Sequence, residues 1–162
     1  EIGFLFFLFS LYDSLSVREN LEFPLRRHTK KFGKIEDTTP LVMEALESVG
    51  LANAINLMPN ELSGGMKRRI ALARTLILKP KIILYDEPTT GLDPITSKEI
   101  ILLMKSIQEK YNTSSIIITH DVDCAKAIAN RMILLIDGIN YIEGTFDELN
   151  ASNDPKVQAF FK

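Results

Sequence analysis

The sequence predicts an α/β domain: a parallel sheet with flanking helices and an inserted helical piece. Three observations point there. Short β-rich runs at 81–85, 115–119 and 132–136 alternate with stretches of helical periodicity, the order that produces crossover connections and parallel pairing. Two of these runs end at once on polar residues, Asp86-Glu87 and His120-Asp121, and in open parallel sheets function gathers at the carboxyl ends of strands. Residues from about Val17 to Pro59 contain no clear strand and read as the helical insertion.

Taken in order, the apolar run Ile2 to Phe9 reads as a buried strand leading into a loop. Val17 to Arg27 reads as helix until Pro24 interrupts it. Arg26 to Lys34 is a basic cluster, read as a solvated loop between helices. Thr39-Pro40 opens a helix with Leu41, Val42, Ala45, Leu46 and Val49 as its apolar stripe, closed by Gly50. A short turn of helix at 53–57 ends at Pro59. Ser63 precedes a stronger helix that stops at Lys79-Pro80. Lys81 to Tyr85 is a strand, and Asp93-Pro94 starts a helix running toward Tyr111, since Asp caps well and proline suits the first helical position. Ser115 to Thr119 reads as another buried strand, 122–130 as a helix and Met132 to Ile136 as a third strand. Asp137-Gly138 is a tight turn returning Asn140 to Glu143 as a hairpin partner.

Composition excludes several classes. The chain has 162 residues, 46% of them hydrophobic and 25% charged, which suits a globular domain with a real core. A net charge of -2 gives no electrostatic footprint for nucleic acid. One cysteine, Cys124, excludes an internal disulfide and a cysteine zinc cluster; it reads as an inert packed thiol in a reducing compartment. Two histidines, His28 and His120, exclude a multi-histidine metal site. The opening apolar run follows an acidic Glu1 rather than a basic segment and is shorter than the roughly 20 residues that span a bilayer. The chain reads as the rear part of a larger domain.

Two segments carry candidate chemistry. In Ile82-Ile83-Leu84-Tyr85-Asp86-Glu87 an apolar strand delivers a carboxylate to where Mg²⁺ would sit. Mg²⁺ prefers one or two carboxylates together with phosphate oxygens and water. A second carboxylate directly after it can orient or deprotonate a water. Two acids at a strand end also occur as a plain cap or solvated turn. At Ser63-Gly64-Gly65 a hydroxyl, successive backbone N–H groups and a positive helix end together suit a phosphate. The same tripeptide also serves as a simple linker and cap. Lys67, Arg68 and Arg69 follow in the first turns, where positive charge opposes the helix dipole, and this tilts the reading toward function.

The motifs in combination resemble one family. Leu62-Ser63-Gly64-Gly65-Met66 with Arg69 and Ala71-Leu72-Ala73-Arg74 comes first. Ile82 to Pro88, Thr90-Gly91-Leu92-Asp93-Pro94 and Ile118-Thr119-His120-Asp121 then follow in order. The set resembles the ATP-binding cassette (ABC) ATPases over essentially the whole chain. The resemblance implies a partial P-loop NTPase-like ABC ATPase domain that uses ATP and Mg²⁺. It implies that Ser63, Gly64 and Gly65 are the signature that contacts the γ-phosphate of ATP on an opposite subunit. By the same resemblance Asp86 is the magnesium aspartate and Glu87 the catalytic carboxylate. Asp93 is then the D-loop residue coupling two sites, and His120 the switch histidine on the γ-phosphate.

The resemblance also implies partners: a second ATPase subunit, an integral membrane permease, and no nucleic acid. Glu61 to Met66, Leu11 to Asn20, Phe23 to Arg26 and Asp154 to Phe161 look like the Mla-type ATPases, which drive phospholipid transport with MCE-type lipid-binding proteins. That implies a cytoplasmic subunit, peripheral on the inner face of the bacterial inner membrane. Residues of about Leu11 to Leu25 would face the permease's coupling helix, although Leu15, Val17, Leu21 and Phe23 also suit an ordinary core. The expected organisation is one partial domain over 1–162. It divides into a strand and Q-loop region at 1–16, a helical subdomain at 17–80, a catalytic core at 81–150 and a tail at 151–162. Two features depart from the family pattern. No Gly-x-x-x-x-Gly-Lys-Ser/Thr loop occurs in these residues, and Phe7 stands at the Q-loop glutamine position. These departures keep open a second expectation, a non-catalytic subunit that supplies its signature to a partner's ATP.

Overall fold

A computed structural model describes residues 2–5, 11–28 and 35–161, which form two compact units, Glu1–Ile118 and Thr119–Lys162. Phe7 and residues 29–34 of the basic cluster lie outside the described residues.

The first unit holds a three-stranded parallel sheet of β1 (Ile2–Leu5), β2 (Ile82–Asp86) and β3 (Ser114–Ile118) in the order β1-β2-β3. Ile2 pairs with Ile82, and Asp86 pairs with Ile118, so β2 is central and its carboxyl end is level with that of β3. The runs at 2–9 and 115–119 are expected to be buried, but the sheet is buried on one face only. Leu5, Ile83 and Tyr85 point into the core, while Ile2, Phe4, Ile116 and Ile118 are 52–62% exposed on the other face. Alternation along a strand sends neighbouring side chains to opposite faces, so an all-apolar run does not reveal which face is covered.

Helix α1 (Val17–Arg27) begins in a capping box: Glu19 N–H donates to Ser16 Oγ, and Ser16 N–H donates to the Glu19 carboxylate. Pro24 does not interrupt it. Val17, Leu21 and Leu25 form a buried stripe, and this tertiary packing outweighs the backbone hydrogen bond that proline cannot donate. Asn20, fully buried, knots the preceding loop to the helix. Its Nδ2 donates to the Tyr12, Leu15 and Ser16 carbonyls, and its Oδ1 accepts from Tyr12 N–H at 2.8 Å. The basic residues at the helix end have structural partners: Arg26 pairs with Glu22 at 2.7 Å, and Arg27 lies over the Phe23 ring.

Helix α2 (Thr39–Ser48) buries Val42, Ala45 and Leu46, and Gly50 follows with φ +71°, the left-handed conformation that closes a helix. Two 3₁₀ turns come next, Ala52–Ala54 and Pro59–Glu61. Pro59 therefore opens a turn instead of ending one, because a first-turn N–H has no intrahelical partner to lose. Helix α3 (Gly64–Leu76) packs on β1: Thr75 Oγ1 donates to the Phe4 carbonyl at 3.2 Å. Helix α4 (Pro94–Tyr111) ends at Asn112, which adopts φ +48°.

The second unit contains α5 (Val122–Ile128), a hairpin of β4 (Met132–Ile136) and β5 (Ile139–Gly144), α6 (Phe146–Asn150) and α7 (Pro155–Phe161). The expected hairpin is found, with β4 antiparallel to β5, but the pair forms a two-stranded sheet and β4 does not join the parallel sheet as its strand order suggests. Asp137 and Gly138 both take positive φ, as a two-residue hairpin turn requires. The tail is helical rather than plain: Asp154 accepts from Lys156 N–H and from Tyr141 Oη, and the Phe146 and Phe161 rings meet edge to face. Among the described residues no helix is long and apolar enough to cross a membrane.

Candidate functional site

Asp86 is the last residue of β2, half-buried, and Glu87 leaves the strand in the left-handed region at φ +48°. For a residue with a β-carbon that conformation costs about 1–2 kcal/mol. Two bonds anchor it: Glu87 N–H donates to the Ile118 carbonyl at 2.9 Å, and Thr90 Oγ1 donates to Glu87 Oε2 at 2.9 Å. The backbone turn thus aims Asp86 and Glu87 differently at one strand end. Tyr85 beside them is buried, and burial pushes its hydroxyl well above the ordinary tyrosine range, so it stays protonated.

Ser63 caps α3, its Oγ accepting from Met66 N–H at 3.2 Å. No acidic residue occupies the first turn. The two glycines differ. An added β-carbon on Gly64 would meet nothing within 4 Å, whereas one on Gly65 would lie 2.9 Å from Thr96 Cγ2. Gly64 therefore leaves the helix end open to an incoming group, and Gly65 lets α3 approach the start of α4. That start is held by Asp93, whose carboxylate accepts from Ile95 N–H, Thr96 N–H and the Thr96 hydroxyl. Those bonds, the Thr96 hydroxyl first, hold the Asp93 carboxyl below its usual range.

The arginines that seem misplaced on the α3 dipole have destinations within the chain. Arg68, 9% exposed, donates from Nη1 to the Pro88 carbonyl at 2.8 Å and from Nη2 to the Thr90 carbonyl. Arg69 pairs with Glu99 of α4 at 2.7 Å. Sequence reasoning missed both roles; the only signal was cationic residues where the dipole disfavours them.

In the second unit His120 stands between the end of β3 and α5. Thr119 Oγ1 accepts from Asp121 N–H, and Asp121 caps α5 by accepting from Cys124 N–H. Asp121 thereby has a structural role as a cap. Among the described residues no three His, Cys, Asp or Glu side chains converge; the end of β2 presents the carboxylates of Asp86 and Glu87. That is the donor set Mg²⁺ takes alongside phosphate oxygens and water. Elsewhere in the first unit Tyr12, Phe23, Pro24, Arg74 and Leu78 line an open groove beside β1. The Tyr12 and Phe23 rings meet at a tilt of 49° with centroids 4.7 Å apart, and Arg74 lies over the Tyr12 ring. Val17 and Leu21 are fully buried and belong to the core instead.

A family profile described as ABC transporter matches residues 1–90. The chain is 41% identical over its whole length to the intermembrane phospholipid transport system ATP-binding protein MlaF of Haemophilus influenzae, covering 61% of that protein. It is 36% identical over 99% of its length to the methionine import ATP-binding protein MetN of Campylobacter jejuni, covering 51% of that protein. Among solved structures it resembles the ATP-binding cassette MJ0796 in a dimeric post-hydrolysis state bound to ADP and Pi. That match has a TM-score of 0.77 at 36% identity and covers 90% of this chain and 63% of that one. The chain thus spans about half to three-fifths of the length of the curated relatives it matches.

Proposed function

The chain belongs to the ABC transporter ATPase family, and from that premise we propose that it is part of a subunit that binds and hydrolyses ATP to energise transport through a membrane permease. The observation that carries this reading is the arrangement at one strand end. Asp86 and Glu87 terminate the central parallel strand, and the loop that follows is tied to the Ser63-capped helix.

The residues divide the work as follows. Asp86 holds Mg²⁺, which supplies charge neutralisation on the phosphates when bound. Glu87, fixed by Thr90, polarises the attacking water. Among the described residues the N–H groups of Gly64 and Gly65 have no acceptor. They and the positive end of α3 receive the γ-phosphate of ATP bound to a second ATPase subunit. Asp93 couples the two sites, and His120 contacts the γ-phosphate of the subunit's own ATP. Positioning and charge stabilisation are what phosphoryl transfer requires of a protein.

The Tyr12–Phe23 groove receives a helix of the permease. Phospholipid is the transported class, supported by the MlaF likeness, with an MCE-type lipid-binding protein as a further partner. The subunit then sits on the cytoplasmic face of the bacterial inner membrane.

The experiment is single-turnover hydrolysis by the full-length subunit with its permease. Glu87→Gln keeps the shape and removes the base, so ATP still binds while the rate falls roughly 10²–10⁴-fold. Hydrolysis within a few-fold of the parent would remove Glu87 from the base role.

A further inference from the structure

We propose that Arg68 is a positioning residue for ATP hydrolysis: its guanidinium clips the loop after Glu87 to the helix that begins at Ser63. The inference rests on the ATPase reading above. It goes beyond that reading by giving Arg68 a role through the loop that carries Glu87.

The geometry is specific. Arg68 sits one turn into α3 with its side chain buried, and its two Nη atoms reach the carbonyls of Pro88 and Thr90. A guanidinium is a planar fork of donors, so two carbonyls bound at once fix both the distance and the angle of the segment that carries them. Thr90 is the residue whose hydroxyl holds the Glu87 carboxylate. Glu87 adopts a left-handed conformation that needs external support. The chain of contact therefore runs from Arg68 to the Thr90 backbone, and from the Thr90 hydroxyl to the Glu87 carboxylate.

Two further contacts join the same elements. Gly65 lies against Thr96, and Arg69 pairs with Glu99. The Ser63 helix end and the segment from Pro88 to Thr96 are thereby held together, and Arg68 is the link with a buried charge. Burial lowers the pKa of Arg68, but a guanidinium remains protonated throughout the working range.

The test uses the full-length ATPase in complex with its permease and Mg-ATP as substrate, with Arg68→Met and Arg68→Lys. Methionine keeps an apolar stem and removes the donors; lysine restores donors on a stem of similar reach. Arg68→Met is expected to lower kcat by about tenfold or more, the scale of small misplacements of catalytic groups. The KM for ATP should stay within about twofold, and Arg68→Lys, whose single ammonium cannot bind both carbonyls as a fork, should recover only part of the lost kcat. A Met variant with kcat within twofold of the parent overturns the proposal, as does a Lys variant no better than Met. If the Met variant does not fold, Arg68→Gln takes its place under the same criteria.

Amide hydrogen exchange reads the clip without hydrolysis. The Thr90 and Leu92 amides should exchange at least about tenfold faster in Arg68→Met, with those of β3 unchanged. Equal exchange in the loop overturns the proposal. A parent that fails to hydrolyse ATP counts against the ATPase reading and leaves the exchange result to decide the clip.

Discussion

Thr90 Oγ1 donates a 2.9 Å hydrogen bond to Glu87 Oε2, so the carboxylate proposed as base is held by a hydroxyl three residues further on in the same turn. Thr90→Val keeps the side-chain shape and removes the donor. The expected result is a fall in kcat of roughly tenfold with ATP binding unchanged, and recovery in Thr90→Ser, which restores the hydroxyl. Steady-state hydrolysis and equilibrium binding by the full-length subunit check it. A valine variant as fast as the parent would mean that the backbone alone orients Glu87.

The two glycines of the signature should separate by experiment. Gly64→Ala meets open space, so the fold should tolerate it, while hydrolysis should fall if, as proposed, the phosphate approaches there. Gly65→Ala drives a β-carbon against Thr96 Cγ2 and should lower stability by about 1–3 kcal/mol. Adding Thr96→Ser removes the obstructing methyl and should return much of that loss. Denaturant midpoints and ATPase rates, measured together, distinguish the two sites.

Asp93 supplies a pH dependence with a defined sign. Its folded-state pKa is depressed by the Thr96 hydroxyl and by the N–H groups it caps. The stabilisation is therefore fully present above the ordinary aspartate value of about 3.9 and is lost as pH falls through the depressed folded value. Asn caps a helix comparably without titrating. The difference in urea midpoint between Asp93→Asn and the parent should accordingly be constant from pH 5 to 8 and shift toward the variant below about pH 4.

Asn20 is the polar residue whose loss should be felt most. Asn20→Ala removes the side-chain partner of Tyr12 N–H and of the Leu15 carbonyl, while the Tyr12 and Ser16 carbonyls keep the backbone donors Leu15 N–H and Asn20 N–H. A cost of about 1–3 kcal/mol is expected from the groups left unsatisfied. Urea unfolding of the full-length subunit measures it, and a loss below about 0.5 kcal/mol would show that water replaces the amide.

Local chemistry made much of the fold legible. The Ser63 and Asp93 caps, the Gly50 stop and the Asp137-Gly138 turn are each settled by a few adjacent residues. Pro24 was misleading because its local penalty is outweighed by packing against elements distant in sequence. The hairpin of β4 and β5 was legible because a two-residue turn admits only antiparallel pairing of the strands it joins; which other strand β4 meets is not written in those residues. Asp86 and Glu87 could be singled out because strand and carboxylates are contiguous. The contacts of Arg68 could not, since a long side chain reaching carbonyls 20 and 22 residues away leaves no periodic mark.

Cys124 has a practical consequence. It is the one thiol in these 162 residues, and it is fully buried in α5. A maleimide probe reacts with exposed thiolates far faster than with buried thiols. New cysteines at exposed positions can thus be labelled without first removing Cys124. A pair of spin labels at Lys67 and Lys98 would then read the spacing of α3 and α4 directly, turning the fit between two helices into a measurable distance through each step of a turnover.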